Sequence, residues 1–226
     1  MYQINPQARH VKANSKKGAD RIVAILEAAL HTLTEKGYSG FTMRNIAKQA
    51  GISLGNITYY YKTKEAILHD MMDAVSEAYQ GALDKIITDE SLTDEDKMQK
   101  VLEQLILDLG EKETTLFFPE IWALSNHDAY VAENMDRIYS RARSLIARLI
   151  EKINPNLSKK SCQLLSLFIS ASIEGMTPFI GYKKEFSQAR VTMANFASQQ
   201  FVHLAQRLND EEIEAQSLQE LLETTP

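Results

Sequence analysis

The side chains best suited to chemistry lie between positions 42 and 64, where the sequence combines polar, aromatic and basic residues. At helical spacing, one face of this segment presents Gly55, Asn56, Tyr59 and Tyr60, and cationic residues bracket that face: Arg44, Lys48, Lys62 and Lys64. Tyrosine and threonine hydroxyls can bond phosphate oxygens, and lysines neutralise phosphates. A glycine lets another molecule approach the backbone closely. This combination favours contact with the DNA duplex.

Two short helices joined by a tight turn would position these groups. Thr42 can cap a first helix whose inner face is Ile46, Ala47 and Ala50. Gly51 tolerates the positive φ of a tight turn, Ile52 fills the corner, and Ser53 can cap a second helix. In that second helix the inward positions are Leu54, Ile57 and Tyr61. A helix, a glycine turn and a helix with a polar outer face form a helix-turn-helix, whose second helix enters the major groove.

The charge distribution agrees with this interpretation. The net charge is −5, yet residues 1–70 carry ten Lys/Arg and only five Asp/Glu, so the remainder is strongly acidic. Such asymmetry is typical of a nucleic-acid-facing portion joined to an acidic one, although an uneven solvated surface gives the same numbers. Each piece has an ordinary structural alternative, because tyrosines at helical spacing can be core residues and helix-glycine-helix corners occur in many bundles.

The stretch from about Arg21 to Tyr79 resembles the DNA-binding domain of TetR-type bacterial transcriptional regulators. The resemblance rests on these matching segments: Arg21-Ile22, Ala28-Ala29, Lys36-Gly37-Tyr38, Phe41-Thr42-Met43-Arg44, Ile46-Ala47, Ala50-Gly51-Ile52-Ser53, Gly55-Asn56-Ile57, Tyr59-Tyr60-Tyr61 and Lys62-Thr63-Lys64-Glu65. Two positions depart from the family pattern. The family commonly has Tyr or Phe where this chain has Thr58, and it frequently has a small or basic residue where this chain has Leu54. The C-terminal half matches much less specifically.

The resemblance implies a homodimer with about nine helices per subunit, a C-terminal ligand-accepting domain and a four-helix dimer interface. It also implies a set of DNA-contacting residues: Thr42, Arg44, Ser53, Gly55, Asn56, Thr58, Tyr59, Tyr60 and Lys64. Among these, Arg44 and Asn56 are the expected base readers, because Arg and Asn pair bidentately with guanine and adenine edges. The N-terminal residues Arg9, His10, Lys12, Lys16 and Lys17 could reach along the duplex or form a solvated tail.

The rest of the chain reads as helices, and the predicted fold class is all-α. Apolar residues recur at helical spacing and no alternating strand pattern with turn signals occurs. Residues 159–182 and 186–208 are apolar almost all round, so burial in a subunit interface is favoured over burial inside one large bundle. The predicted dimer-interface residues are Leu164, Phe168, Val191, Phe201 and Leu204.

The domain organisation follows from these segments. We expect a basic flexible arm over 1–18, a three-helix helix-turn-helix DNA-binding domain over 19–65, and a helical regulatory and dimerisation bundle over 66–209. Within that bundle a connecting helix spans 66–88. An acidic tail is predicted over 210–226.

An aromatic cluster suggests a small-molecule pocket in the C-terminal bundle. Apolar walls with a few polar groups are typical of ligand sites, although aromatic residues at helical spacing are most often core. The predicted ligand-binding residues in this cluster are Phe117, Glu120, Trp122, His127 and Tyr130, and the resemblance to the TetR family implies that Met176 and Phe179 lie opposite them. The ligand would be an apolar or amphipathic small molecule.

Other classes of function find little support. The five histidines have no metal-ligand spacing, and neither a phosphate-binding glycine loop nor a Gly-x-Ser-x-Gly elbow occurs, so we predict no catalytic site, metal or cofactor. Cys162 is the only cysteine, which excludes an internal disulfide. The longest uncharged stretches, Ser161–Ile173 and Val191–Gln206, are shorter than the roughly 18 apolar residues of a membrane span. We expect a cytoplasmic protein without a membrane partner.

The sequence therefore predicts a DNA-binding transcriptional regulator, most simply a ligand-responsive repressor that binds a palindromic DNA operator as a homodimer. An activator or a ligand-independent regulator of the same fold is the first alternative. An α-helical enzyme is a distant one.

Overall fold

The computed structural model of the chain describes residues 16–214, and every regular element within that range is helical. The helices are α1 (Lys16–Gly40), α2 (Met43–Gln49), α3 (Leu54–Tyr60), α4 (Lys64–Ile87), α5 (Asp94–Asp108), α6 (Lys112–Ser125), α7 (Ala129–Ile153), α8 (Lys159–Glu174), α9 (Thr177–Ile180), α10 (Arg190–Arg207) and α11 (Asp210–Glu214). The all-α prediction is confirmed. Most of the predicted arm, with Arg9, His10 and Lys12, lies outside the described residues, as does the tail beyond 214.

Side-chain caps explain where several helices begin. The hydroxyls of Thr42, Ser53, Thr93 and Ser158 each accept a hydrogen bond from the backbone N–H three residues later. The Asp96 carboxylate in turn accepts a hydrogen bond from the backbone N–H of Thr93, which completes a capping box at the N-terminus of α5. The caps at Thr42 and Ser53 were predicted from residue type alone, and both are confirmed.

The end of α1 is irregular because of Gly37. The sequence predicts that the helix stops there, but helical structure resumes to Gly40 after a non-helical step at Gly37, with φ 62° and ψ −177°. This φ lies in the left-handed region that favours glycine. Directly after the step, the backbone N–H of Tyr38 donates to Oε2 of Glu120 in α6 at 3.0 Å. Glu120 therefore fastens α6 to the irregular turn of α1.

The described chain divides into two compact units, each discontinuous in sequence. The first unit contains residues 16–85 and 111–138, and the second contains residues 86–110 and 139–214. In the first unit Ile22, Phe41, Ile57 and Phe117 are almost completely buried. In the second unit α5 packs along α10. The domain boundaries given above from the sequence, at residues 18, 65 and 209, stay a prediction.

The C-terminal apolar segments are shorter helices than the sequence suggests. Helix α8 ends at Glu174, four residues of α9 follow, and α10 begins only at Arg190 after a 3-10 turn over Ser187–Ala189. The stretch Lys159–Ile180 is nevertheless long and apolar enough to cross a membrane by length and composition, with a mean hydropathy of 1.2 in its most apolar window. Only 33% of that window is buried, and Leu164, Leu167 and Phe168 are among its exposed residues.

Candidate nucleic-acid interface

The turn between α2 and α3 is built as predicted. Gly51 has φ 64°, and the backbone N–H of Ile52 donates to the carbonyl of Ala47 at 3.0 Å, which closes the corner. A side chain at position 51 would be strained by this φ even though no atom lies near it. The tight turn brings α3 against α2, and the outer face of α3 stays free of the rest of the unit.

Two buried residues fix the orientation of α3. Ile57 is fully buried, and Tyr61, which caps the C-terminus of α3, is 1% exposed. The Tyr61 hydroxyl donates to Oδ2 of Asp70 in α4 at 2.9 Å. Asp70 is itself 1% exposed, so this bond forms away from water, where an unmade bond would be costly. It joins the end of α3 to the helix that follows.

Leu54 was predicted to point inward with Ile57 and Tyr61, and that prediction is wrong. Leu54 is 45% exposed. It is the first residue of α3, next to the Ser53 cap, and the N-terminal turn of so short a helix projects beyond the core. Leu54 therefore joins the outer surface, although its aliphatic side chain resembled a core residue.

The outer face carries the polar groups that the sequence singled out. Gly55, Asn56 and Tyr59 are exposed, Tyr59 to 74%, while Thr58 and Tyr60 are half-buried. The Tyr59 and Tyr60 rings meet edge to face, with centroids 5.1 Å apart. Thr58 donates its hydroxyl to the carbonyl of Gly55 at 3.0 Å, which leaves oxygen lone pairs on that hydroxyl as acceptors.

The residues flanking α3 supply hydroxyl and cationic groups. Thr42, Arg44 and Ser53 are exposed. The caps use the oxygen of each hydroxyl as acceptor, so its O–H can still donate to a phosphate. The ammonium of Lys64 lies 4.2 Å from the ring centroid of Tyr38, a cation–π contact that anchors the base of this lysine's helix to α1. Lys16 and Lys17, the described part of the predicted arm, are exposed at the start of α1.

Sequence reasoning missed the supports behind this surface. Asp70 lies among the apolar residues of α4, and nothing in its spacing identifies Tyr61 as its partner. Glu120 was assigned to a ligand pocket, but its carboxylate receives the Tyr38 N–H from a position 82 residues away. Such long-range pairs have no local sequence signal.

The other predicted ligand residues occupy varied environments. In the first unit Phe117 is buried, Trp122 is half-buried and His127 is exposed. The Tyr130 ring stacks on His69 with centroids 3.6 Å apart, its hydroxyl donates to Asp73, and burial raises the pKa of that hydroxyl above 10. Met176 and Phe179 belong to the second unit, where Phe179 is 59% exposed. This pocket stays a prediction.

The predicted dimer residues include several large exposed apolar side chains. Leu164, Phe168 and Val191 are exposed, Phe201 is buried and Leu204 is half-buried. The Phe168 and Phe201 rings meet edge to face at 6.3 Å. Leu167 in α8 and Phe196 in α10, which the sequence analysis did not single out, are also exposed. No group of three or more metal-ligating side chains occurs among residues 16–214.

Comparisons with known proteins agree with this geometry. The family model described as bacterial regulatory proteins of the TetR family matches residues 25–71. The chain is 35% identical over 133 residues to the HTH-type transcriptional regulator PksA of Bacillus subtilis. That match covers 56% of this chain and 62% of PksA, so the chain spans about three fifths of the length of that relative.

Solved structures share the fold. A TetR transcription regulator from Haloarcula marismortui has a TM-score of 0.67 at 16% identity, with 82% of this chain and 97% of that chain covered. A structure described as a transcriptional regulator from Saccharomonospora viridis, in complex with choline, also has a TM-score of 0.67, at 17% identity, with coverages of 82% and 95%.

The capped two-helix motif with a polar outer face, set among the helices of residues 16–214, is a helix-turn-helix. Residues 25–71 thus match the TetR family of bacterial regulatory proteins, and the chain is similar over part of its length to HTH-type transcriptional regulators such as PksA.

Proposed function

We propose that the chain is a DNA-binding transcriptional regulator that places α3 in the major groove of an operator. The observation that carries this proposal is the outer face of α3, exposed at Gly55, Asn56 and Tyr59, while the opposite face is held by buried Ile57 and Tyr61. A rigidly held helix with free polar groups can present hydrogen-bonding atoms to base edges in a fixed register.

Within that surface, different residues have different tasks. Arg44 and Asn56 are the base readers, because both are exposed and both side chains can form paired hydrogen bonds with a base edge. Thr42, Ser53, Tyr59, Tyr60 and Lys64 contact the phosphates, Thr58 presents its hydroxyl oxygen to the DNA as an acceptor, and Gly55 allows the backbone to approach. These contacts orient the protein on the duplex, whereas Arg44 and Asn56 select the sequence.

The functional molecule in this proposal is a homodimer formed by α8 and α10. Large apolar side chains are exposed to water on both helices: Leu164, Leu167 and Phe168 on α8, and Val191 and Phe196 on α10. Such an apolar patch favours contact with another apolar protein surface. A second copy supplies that cover and pairs two reading helices, which matches a palindromic site. Lys159–Ile180 could also meet a lipid bilayer by composition, but the Lys and Arg residues that DNA binding requires favour a cytoplasmic dimer.

The regulator most simply acts as a ligand-responsive repressor. A dimer bound across an operator blocks access to the DNA, and a small molecule that alters the dimer releases it. An activator or a ligand-independent regulator of the same fold is the second candidate. The related fold crystallised with choline shows only that the Saccharomonospora protein accepts a small molecule.

Selection of bound fragments from random duplex DNA tests the proposal. We expect the enriched fragments to contain a palindrome with half-sites about one helical turn apart. Binding in gel shifts should weaken steeply as salt rises, because Lys and Arg contacts release counterions from phosphates. The absence of duplex binding at low salt would overturn the proposal.

A further inference from the structure

A cavity of about 500 Å³ lies within the first unit, between α1, α2, α4 and α6. Its volume falls in the range of small-molecule sites. It is separate from the pocket predicted around Trp122 and Tyr130, with which it shares only Phe117. Its lining includes Glu27, Ala50, Ala78, Tyr79, Glu113 and Phe117.

The wall of this cavity is apolar and partly aromatic. Phe117 is 2% exposed, and the alanines at 24, 28, 50 and 78 leave the space that larger side chains would fill. The Tyr79 hydroxyl and the Thr114 hydroxyl are hydrogen-bonded at 2.9 Å, and the Tyr79 ring meets Phe118 edge to face at 5.6 Å. These contacts hold the Tyr79 ring in place, so the wall is preformed.

The formally charged side chains at the cavity are all acidic, and His31 adds an imidazole to its lining. Glu27, Glu111 and Glu113 contribute carboxylates, and no lysine or arginine is among the described residues that line it. Glu111 precedes the first residue of α6 and its side chain does not cap that helix. Carboxylates around an apolar space favour a positively charged occupant, and the faces of Phe117 and Tyr79 attract cations as well.

We propose that this cavity binds a small organic cation that carries an apolar body, and that it is the site where an effector acts on the regulator. The effector role rests on the proposed function, whereas binding of the cation does not. Ala50 in the lining is followed by Gly51 of the turn to α3, and α6 forms the opposite wall. A molecule seated there contacts the reading motif and its support at once, and can therefore bias their arrangement.

Calorimetric titration of the full chain with three probes of one apolar body tests the binding. The probes are 4-phenylbutylammonium, 4-phenylbutanol and 4-phenylbutanoate. We expect the ammonium to bind about ten-fold more tightly than the alcohol, and the carboxylate to bind most weakly. Equal affinities for the three probes, or no binding of the ammonium, would overturn the proposed site.

Two variants and a matched control locate the binding. Ala78→Phe fills the cavity and should abolish titration of the ammonium, and the double variant Glu27→Gln/Glu113→Gln keeps the volume and should remove the preference for it. Glu133→Gln, at an exposed position of α7 outside the cavity, should leave the ammonium affinity and the preference for the ammonium over the alcohol unchanged. If the double variant keeps the preference, or the control loses it, the assignment is wrong.

The effector role has a separate readout. If the selected operator binds, its affinity should change about five-fold or more when the ammonium saturates the protein, and the ammonium affinity should change by the same factor on the DNA complex. An unchanged operator affinity at saturating ammonium would overturn the effector role. Because the titrations contain no DNA, failure of operator binding alone would count only against the proposed function.

Discussion

Helices α3 and α8 both leave aromatic side chains uncovered, but the neighbours of those side chains differ. On α3, Tyr59 is 74% exposed and sits with Asn56 and basic residues. On α8, Phe168 is 53% exposed beside Leu164 and Leu167. A phenol ring near cationic side chains can contact a hydrated, anionic partner such as DNA. A phenyl ring among leucines is better covered by an apolar surface that excludes water. Exposure alone does not identify the partner, but the chemistry around it does.

The two helices also end in similar tyrosine–carboxyl pairs, of which the first is buried and the second is half-buried. The C-cap of α3, Tyr61, donates to buried Asp70, and the last residue of α8, Glu174, is hydrogen-bonded by Tyr139. At Glu174, burial dominates and raises the pKa of the carboxyl to about 7. Each uncovered surface is thus backed by a tyrosine–carboxyl bond within its own unit.

The largest effect is expected from a substitution in the exposed apolar surface of α8. Phe168→Asp places a charge where we propose that two subunits meet, and burying it unpaired would cost several kcal/mol. We expect a monomer in analytical ultracentrifugation, and operator affinity should fall about 100-fold or more because the two reading helices are no longer linked. Asn156→Asp adds the same charge in an exposed loop and should remain dimeric. A dimeric Phe168→Asp protein would contradict the assigned interface.

The next effect concerns the polar side. Arg44→Ala removes a base-reading side chain and should weaken operator binding by about 1–3 kcal/mol while relaxing preference at one base pair. Lys48→Gln should weaken all sequences evenly and lower the salt slope by about one. Lys100→Ala, exposed in the second unit, is the control. Fluorescence anisotropy on the selected operator and its single-base variants measures all three, and equal loss on every sequence for Arg44→Ala would refute its role.

A third prediction uses the buried carboxyl behind α8. Because the pKa of Glu174 is raised to about 7 from an ordinary 4.5, the folded chain holds a proton between these values that the unfolded chain has lost. Stability from this group therefore falls as pH rises through that window. Glu174→Gln should be more stable than the parent above pH 7, by up to about 3 kcal/mol, and similar below pH 4.5.

Chemical denaturation at pH 4.5, 6 and 8 measures this difference. The exposed Glu133→Gln serves as control and should follow the parent at every pH. If Glu174→Gln parallels the parent across the range, the carboxyl does not change protonation on folding.

The smallest effect separates the two tyrosines of α3. Tyr61→Phe removes the donor to buried Asp70 and should lower the free energy of unfolding by about 1–3 kcal/mol. Tyr59→Phe removes a hydroxyl from the 74% exposed ring and should leave stability unchanged while weakening operator binding. Thermal unfolding and anisotropy together distinguish the two roles. Equal stability losses would mean that Tyr59 is structural.

Much of the reading motif was predictable because its determinants are local. The caps Thr42 and Ser53 lie three residues from the N–H groups they bond, and Gly51 sits at the tight turn between α2 and α3. Leu54 was misassigned because residue type outweighed its place in the first turn of a short helix. Asp70 and Glu120 could not be assigned, because their partners are set by tertiary packing rather than by spacing.

The apolar surface was predicted less evenly. The apolar composition of residues 159–182 and 186–208 predicted exposed apolar side chains, yet it could not separate Phe168, which is exposed, from Phe201, which is 7% exposed. The two rings touch edge to face, so Phe168 shields Phe201. Helical periodicity predicts which residues share one face of a helix. Which of those side chains remains exposed to solvent depends on tertiary packing.

The discontinuity of the first unit has a consequence for how the chain is made. Residues 111–138 complete a unit whose other part ends at 85, so the ribosome must add 53 residues before that unit can close. At about 5–20 residues per second, this interval lasts roughly 3 to 10 s. During that time the irregular turn at Gly37 and Tyr38 has not yet met Glu120, and the wall supplied by Phe117 is missing. A nascent chain stalled before residue 111 would therefore carry its complete α3 on a scaffold still open on one side.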